Sequence, residues 1–138
     1  MTDLIRISRD FTWEEMTRSE TAKKHGIVNE PGIEEKRAIE ELVKCTLQPL
    51  RTAYGRPIRI SSGYRCKALN KLVGGSPTSQ HMKGRAADCV AGDASRLLGI
   101  LLAYNLPFDQ AILYRKRNFL HVSLRSSQNR RKVVIQDN

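Results

Sequence analysis

The sequence predicts an α+β domain: helices first, then a small, mainly antiparallel sheet, with one helix between strands. Three observations carry this. Apolar residues recur at helical spacing up to Tyr54. From Pro57 onward short runs alternate apolar and polar residues, bounded by Gly, Pro and Asn. One leucine-rich helical run, residues 94–104, interrupts those strands.

The elements follow in order. Thr12 with Glu15 resembles a capping box, so a short helix starts there. Residues 19–25 read as a second short helix stopped by Gly26, and residues 28–32 as a loop. A long helix is expected over 33–54, where Ile39, Leu42, Val43, Leu47, Leu50 and Tyr54 share a face and Gly55 ends it. Pro49 lies inside and must kink or split it. Residues 57–61 alternate as a strand. Residues 62–79 are mostly loop, with a helical turn at 67–72. Residues 85–90 form a strand, Asp93 caps the helix 94–104, and Pro107 follows its end. Residues 108–114 and 119–124 are strands joined by the turn Arg115-Lys116-Arg117-Asn118, and a last strand is placed at 132–136.

The 138 residues make a single domain the expectation, with a core needing no staples. Cys45, Cys66 and Cys89 are odd in number and lack a CxxC spacing, so they read as reduced thiols. No apolar run has membrane-span length, and the N-terminus lacks a secretory apolar region. The chain is therefore expected to be made in the cytoplasm and to need release if it acts outside. The net charge is +10. Residues 114–132 contain Arg115, Lys116, Arg117, Arg125, Arg130, Arg131 and Lys132 and no acid. Such a field attracts polyanions, whether nucleic acid or an anionic cell wall, though a solvated basic face explains it equally. With 6% aromatic residues and no nucleic-acid motif, nucleic acid is the weaker partner. A monomer is expected.

The chain has three histidines. His25, at the end of a polar helix, reads as solvated. His81 lies on a loop and Asp88 on the next strand, and Gly84 between them lets the chain fold back. Zinc takes imidazole nitrogen and carboxylate oxygen, and catalytic sites commonly keep three protein ligands plus water. A surface histidine with a satisfied core aspartate is the competing reading. Alternation puts Leu120, Val122 and Leu124 on one strand face, and His121 with Ser123 on the other. Cys89, beside Asp88, then points into the core.

Residues 79–88 spell SxHxxGxAxD with every fixed position filled. With Ser61-Ser62-Gly63-Tyr64-Arg65 before it and His121-Val122-Ser123 after it, the chain resembles the zinc D-alanyl-D-alanine carboxypeptidase family of cell-wall peptidases, the short phage and bacterial members above all. The resemblance runs from Phe11 to about Arg131. It implies one Zn²⁺ per chain held by His81, Asp88 and His121. It also implies that Arg65 contacts the substrate carbonyl or its oxyanion, that Ser79 and Tyr64 contribute to substrate binding, and that peptidoglycan stem peptides are the substrate of a D,D-carboxypeptidase or an endopeptidase, as in a phage lysin. Family members commonly carry an acid three residues before the last histidine, or at positions matching Leu113 and Tyr114; here the first is Asn118. Asp109 is then the nearest carboxylate for the role of base, and Tyr114 a donor to the oxyanion. With an even four-residue turn, Ile112 opposes His121 and Asp109 points to the other face. Two further readings stand beside the peptidase: a zinc-binding, catalytically weakened wall-recognition module, and a basic nucleic-acid-binding protein.

Overall fold

The computed structural model describes residues 5–137. The architecture is α+β. A short hairpin, β1 (Arg6–Ser8) and β2 (Phe11–Thr12), leads into α1 (Trp13–Thr17) and α2 (Glu20–Lys24). The hairpin has no counterpart in the sequence reading, because its strands are too short to show alternation. Thr12 caps α1 through its hydroxyl, which accepts from Glu15 N at 3.1 Å. The Glu15 carboxylate completes no box: it accepts from Ile60 N at 3.4 Å, tying α1 to the sheet.

The long helix is split. α3 (Ile33–Leu42) passes through a wide π turn, Val43–Leu47, into α4 (Gln48–Tyr54). Pro49 has no N–H for the Cys45 carbonyl, and its ring would press on that oxygen. The wider turn just upstream removes the conflict, so the distortion falls a turn before the proline itself. Gly55, at φ 75°, closes α4.

Among the described residues, five strands form the main sheet: β3 (Arg59–Ser62), β4 (Ala86–Val90), β5 (Gln110–Tyr114), β6 (Phe119–Ser123) and β7 (Lys132–Gln136), in the order β3-β4-β6-β5-β7. Three pairings are antiparallel; β7 lies parallel to β5. The remaining helices are α5 (Lys67–Leu72) and α6 (Ala94–Ala103), the latter capped by Asp93, whose side chain accepts from Arg96 N. One face of the sheet carries Ala87, Cys89, Ala111, Leu113, Leu120 and Val122, all buried against a core that includes Ile39, Leu42, Leu50, Leu97 and Leu101. Burying whole aliphatic side chains, at about 1.5–3 kcal/mol each, is what seats the helices on that face. Strand pleating then leaves Asp88 and His121 on the opposite face. No helix among the described residues is long and apolar enough to cross a membrane. All three cysteines are free.

Candidate metal centre

Asp88 on β4 and His121 on β6 are direct cross-strand partners. Side chains so opposed on one face start from Cβ atoms about 4.5–5.5 Å apart, so the ladder itself delivers two polar groups to one point. Asp88 Oδ1 lies 2.9 Å from His121 Nδ1 and 3.4 Å from His81 Nε2. The ligand atoms of the three residues all lie within 4.8 Å of one another. Tetrahedral zinc with bonds of about 2.0–2.1 Å would need donor separations of about 3.3 Å, which the two separations from Asp88 bracket, and two imidazoles with a carboxylate are a donor set that suits the ion.

His81 arrives from outside the sheet, on a short 3₁₀ turn, Gln80–Lys83. Ser79 caps that turn by accepting from His81 N at 3.2 Å, and Gly84 ends it at φ 73°. A side chain at Gly84 would also stand 2.5 Å from the Glu35 carbonyl oxygen, so both backbone angle and space require glycine. The His81 ring is buried, with Nδ1 2.7 Å from the Gly63 carbonyl oxygen. That carbonyl accepts from Nδ1–H and turns Nε2 toward Asp88, the usual way a protein orients a ligating histidine.

Gly63 reaches this position through a bulge. Between Ile60↔Cys89 and Ser62↔Asp88 the register of β3 slips, so Ser61 is the extra residue. The chain then turns away from the ladder and passes between α1 and the His81 turn: Tyr64 N donates to Met16 O at 2.8 Å, and Arg65 N to His81 O at 3.1 Å. A Cβ on Gly63 would fall 2.3 Å from Met16 O. Asn29, in the loop before α3, pins the same run: it donates to Thr17 O and Tyr64 O and accepts from Cys66 N. From the sequence, Asn29 is a loop residue and Gly63 part of the run Ser61–Arg65, with no sign of the bulge; an isolated asparagine in a Pro/Gly loop carries no signal of its long-range partners.

Electrostatics follow the geometry. Burial works against the Asp88 charge, but hydrogen bonds and the fields of His121 and His81 outweigh it and hold the carboxyl well below its ordinary range. Burial pushes the Cys89 thiol far up, so it sits in the core as an inert neighbour and not a ligand. Arg65 is partly buried, which lowers its pKa, while Asp88 counteracts this. Arg65 donates through Nη2 to Ser79 Oγ at 3.3 Å, and its Nε is buried with no partner among the described residues. Tyr64 is buried against the core and edges two clefts.

Asp109 stands apart from this group. It lies just before β5, fully buried, and its carboxylate accepts from Arg130 N, Nε and Nη2 and from Gln80 Nε2. Arg130, first of all, lowers its pKa to about 2. The expected register holds, with Ile112 opposite His121. Asn118 is committed elsewhere: at φ 56° it accepts from Ala94 N at 2.9 Å, capping α6, and donates to Gly92 O. Leu113 is core, and Tyr114 stacks on Phe119 with ring centroids 4.4 Å apart.

Comparison with known proteins agrees with this geometry. A zinc D-Ala-D-Ala carboxypeptidase of Streptomyces albus G is 36% identical over 84 residues, 60% of this chain and 32% of that protein. The match thus spans about a third of the relative's length. Residues 9–123 match the family described as Peptidase M15. Since that match runs from the first hairpin to the last residue of the strand bearing His121, the chain belongs to the Peptidase M15 family.

Proposed function

We propose that this protein is a zinc metallopeptidase acting on D-amino-acid-containing stem peptides of peptidoglycan. The observation that carries the reading is the convergence of His81 Nε2, Asp88 Oδ1 and His121 Nδ1 beside the half-buried Arg65 guanidinium. One Zn²⁺ per chain, held by these three residues, would supply a water of lowered pKa and a Lewis acid for the peptide carbonyl.

The chain's own residues prepare the rest. An unpaired buried donor such as Arg65 Nε costs about 1–3 kcal/mol, and a substrate carbonyl oxygen that accepts from it removes that cost. A fixed cation there favours negative charge developing on that oxygen, an effect commonly amounting to ~3–4 kcal/mol per preorganised donor. Ser79 holds Arg65 on one side and caps the His81 turn on the other, so it couples the cation to the ligand. Tyr64, between Gly63 and Arg65 in the chain, is buried and edges the cleft that Arg65 also lines, where it would contact substrate.

Asp109 is assigned a positioning role. A carboxylate accepting from Arg130 three times and held near pKa 2 is a poor proton acceptor at neutral pH. It ties the returning C-terminal segment and Gln80, the residue before His81, to the start of β5. The attraction to an anionic wall rests on the net charge of +10, although Arg130 is committed to Asp109 and Arg131 lies over the Phe108 ring.

A second reading has one specific observation in its favour. The position where relatives of the resembled type carry an acid is filled by Asn118, whose side chain is spent on capping α6. A zinc-binding wall-recognition module with weakened catalysis would tolerate this. Cleavage of purified muropeptides and cross-linked peptidoglycan by zinc-loaded protein separates the readings, with a chelated control and a His121→Ala variant. Metal-dependent products establish the peptidase; stoichiometric zinc with no products overturns the peptidase reading for these substrates and favours the recognition module.

A further inference from the structure

A separate cavity of about 600 Å³ shares Tyr64 with the cleft that Asp88 and Arg65 line. None of His81, Asp88 and His121 lines it. Met82 and Lys83, which follow His81 on the 3₁₀ turn, form part of its wall. The proposed peptidase chemistry makes no use of it. Its charge is one-sided: Lys67, Lys71 and Lys83 line it, all exposed, against one acid, Glu35. None of the three lysines pairs with a carboxylate among the described residues. The Glu35 carboxylate accepts from Gly32 N at 3.0 Å and so serves the start of α3.

Local structure does not account for these lysines. Lys67 and Lys71 stand four residues apart on α5, where like charges repel. Lys67 opens that helix, at the end where the peptide dipoles disfavour a cation. Both placements work against α5, and an anion in the cavity would offset them. A second observation is independent of charge. Asn70 is buried and also lines the cavity. Its Nδ2 donates to Ser76 O at 2.9 Å, but its Oδ1 is buried with no partner among the described residues. Gly75 covers that oxygen at the cavity wall: a Cβ there would stand 2.1 Å from Oδ1. The missing partner is a donor, which a bare anion lacks and a hydroxyl supplies. Pro77 and Met82 add carbon surface.

We infer that this cavity binds a small polyol phosphate, of which glycerol phosphate is the simplest. Lys67, Lys71 and Lys83 hold the phosphate as point charges, a hydroxyl enters beside Gly75 toward Asn70, and the carbon skeleton packs on Pro77 and Met82. The inference stands apart from the peptidase reading, since no proposed metal ligand takes part in it. The same chemistry is presented by the free ester and by the headgroup of a phosphatidylglycerol bilayer, and the test separates the two.

In one arm, sn-glycerol 3-phosphate is titrated into the full chain, with and without a chelator, and followed by amide NMR. In the other, the chain is sedimented with phosphatidylglycerol or phosphatidylcholine vesicles. Two variants remove the same charge: Lys67→Gln, Lys71→Gln, Lys83→Gln in the cavity, and Lys24→Gln, Lys116→Gln, Lys132→Gln on exposed, unpaired lysines elsewhere. Saturable shifts at the Gly75 and Met82 amides are expected, unchanged by the chelator. The cavity variant should weaken Kd by at least ~10-fold, the scale of one lost charge-assisted contact, and the control variant far less. Sedimentation with phosphatidylglycerol that only the cavity variant loses, without binding of the free ester, assigns the site to the lipid headgroup. Equal losses in both variants reduce the effect to general charge attraction and overturn the site. Binding that ignores the cavity lysines and vanishes with the chelator puts the phosphate on the metal and overturns it too. No binding in either arm does the same.

Discussion

The carbonyl oxygen of Gly63 lies 2.7 Å from Nδ1 of His81, across 18 residues of sequence, and this contact ties the chain beyond the bulged end of β3 to the candidate metal centre. Gly63 is there because Met16 O leaves no room for a side chain. Gly63→Ala should therefore push the segment off α1, misaim the carbonyl and free the His81 ring. The expected result is a 10–100-fold (~1.4–2.7 kcal/mol) loss of zinc affinity, the usual effect of removing such an orienting partner. Competition with a chromophoric chelator measures it, and unchanged affinity would show that the contact does not orient the ring.

If His81, Asp88 and His121 hold zinc as proposed, the ion should stabilise the fold, because these residues come from three separate elements that only the folded chain assembles. At free zinc one hundred times Kd the gain is about 2.7 kcal/mol. Thermal unfolding with and without a chelator reads this as a rise in Tm. His121→Ala should abolish the rise, and a variant that keeps the full shift would remove His121 from the ligand set.

Arg65→Gln keeps a polar group beside Ser79 but removes the charge. A loss of about 10²–10³ in kcat is expected, with zinc binding retained, as for removal of an oxyanion donor. If the loss fell wholly on KM, Arg65 would serve ground-state binding alone.

Asp109 predicts a pH signature in stability. Its pKa is about 2 in the fold against an ordinary 3.8, so its ionised form is the one the fold favours. That contribution is full above about pH 4 and is lost as pH falls toward 2. Asp109→Asn should cost about 2–3 kcal/mol at neutral pH, the scale of hydrogen bonds to a buried charge. Urea unfolding of both proteins should show the gap closing below pH 3. A gap independent of pH would mean that packing, not charge, is what the aspartate contributes.

Asn118→Asp restores the acid three residues before His121, yet the Asn118 side chain faces the N-terminus of α6. The variant keeps the acceptor for Ala94 N and loses the donors to Ala91 O and Gly92 O. Muropeptide turnover should not rise, and stability should fall by about 1 kcal/mol, the usual value of one such bond. A large gain in turnover would show that the missing acid limits the native protein.

The sequence by itself determined the α+β class, the alternation that puts Cys89 inward and Asp88 outward, and the even turn that sets Ile112 against His121. All three depend on short-range periodicity, where a residue's face follows from its neighbours. The motif at residues 79–88 and the later run His121-Val122-Ser123, through the family they resemble, made His81, Asp88 and His121 the candidate ligands. What only tertiary structure decided was the pairing of distant groups: the Gly63 carbonyl on His81, Asn29 on the Tyr64 segment, Asn118 on α6, and Arg130 on Asp109. The parallel return of β7 belongs with these, since Lys132 N meets Asp109 O only after the chain has crossed the sheet. None of these contacts leaves a periodic trace, because a hydrogen bond between residues tens of positions apart is set by where the packed core brings two backbones together, not by the spacing of either residue in its own element.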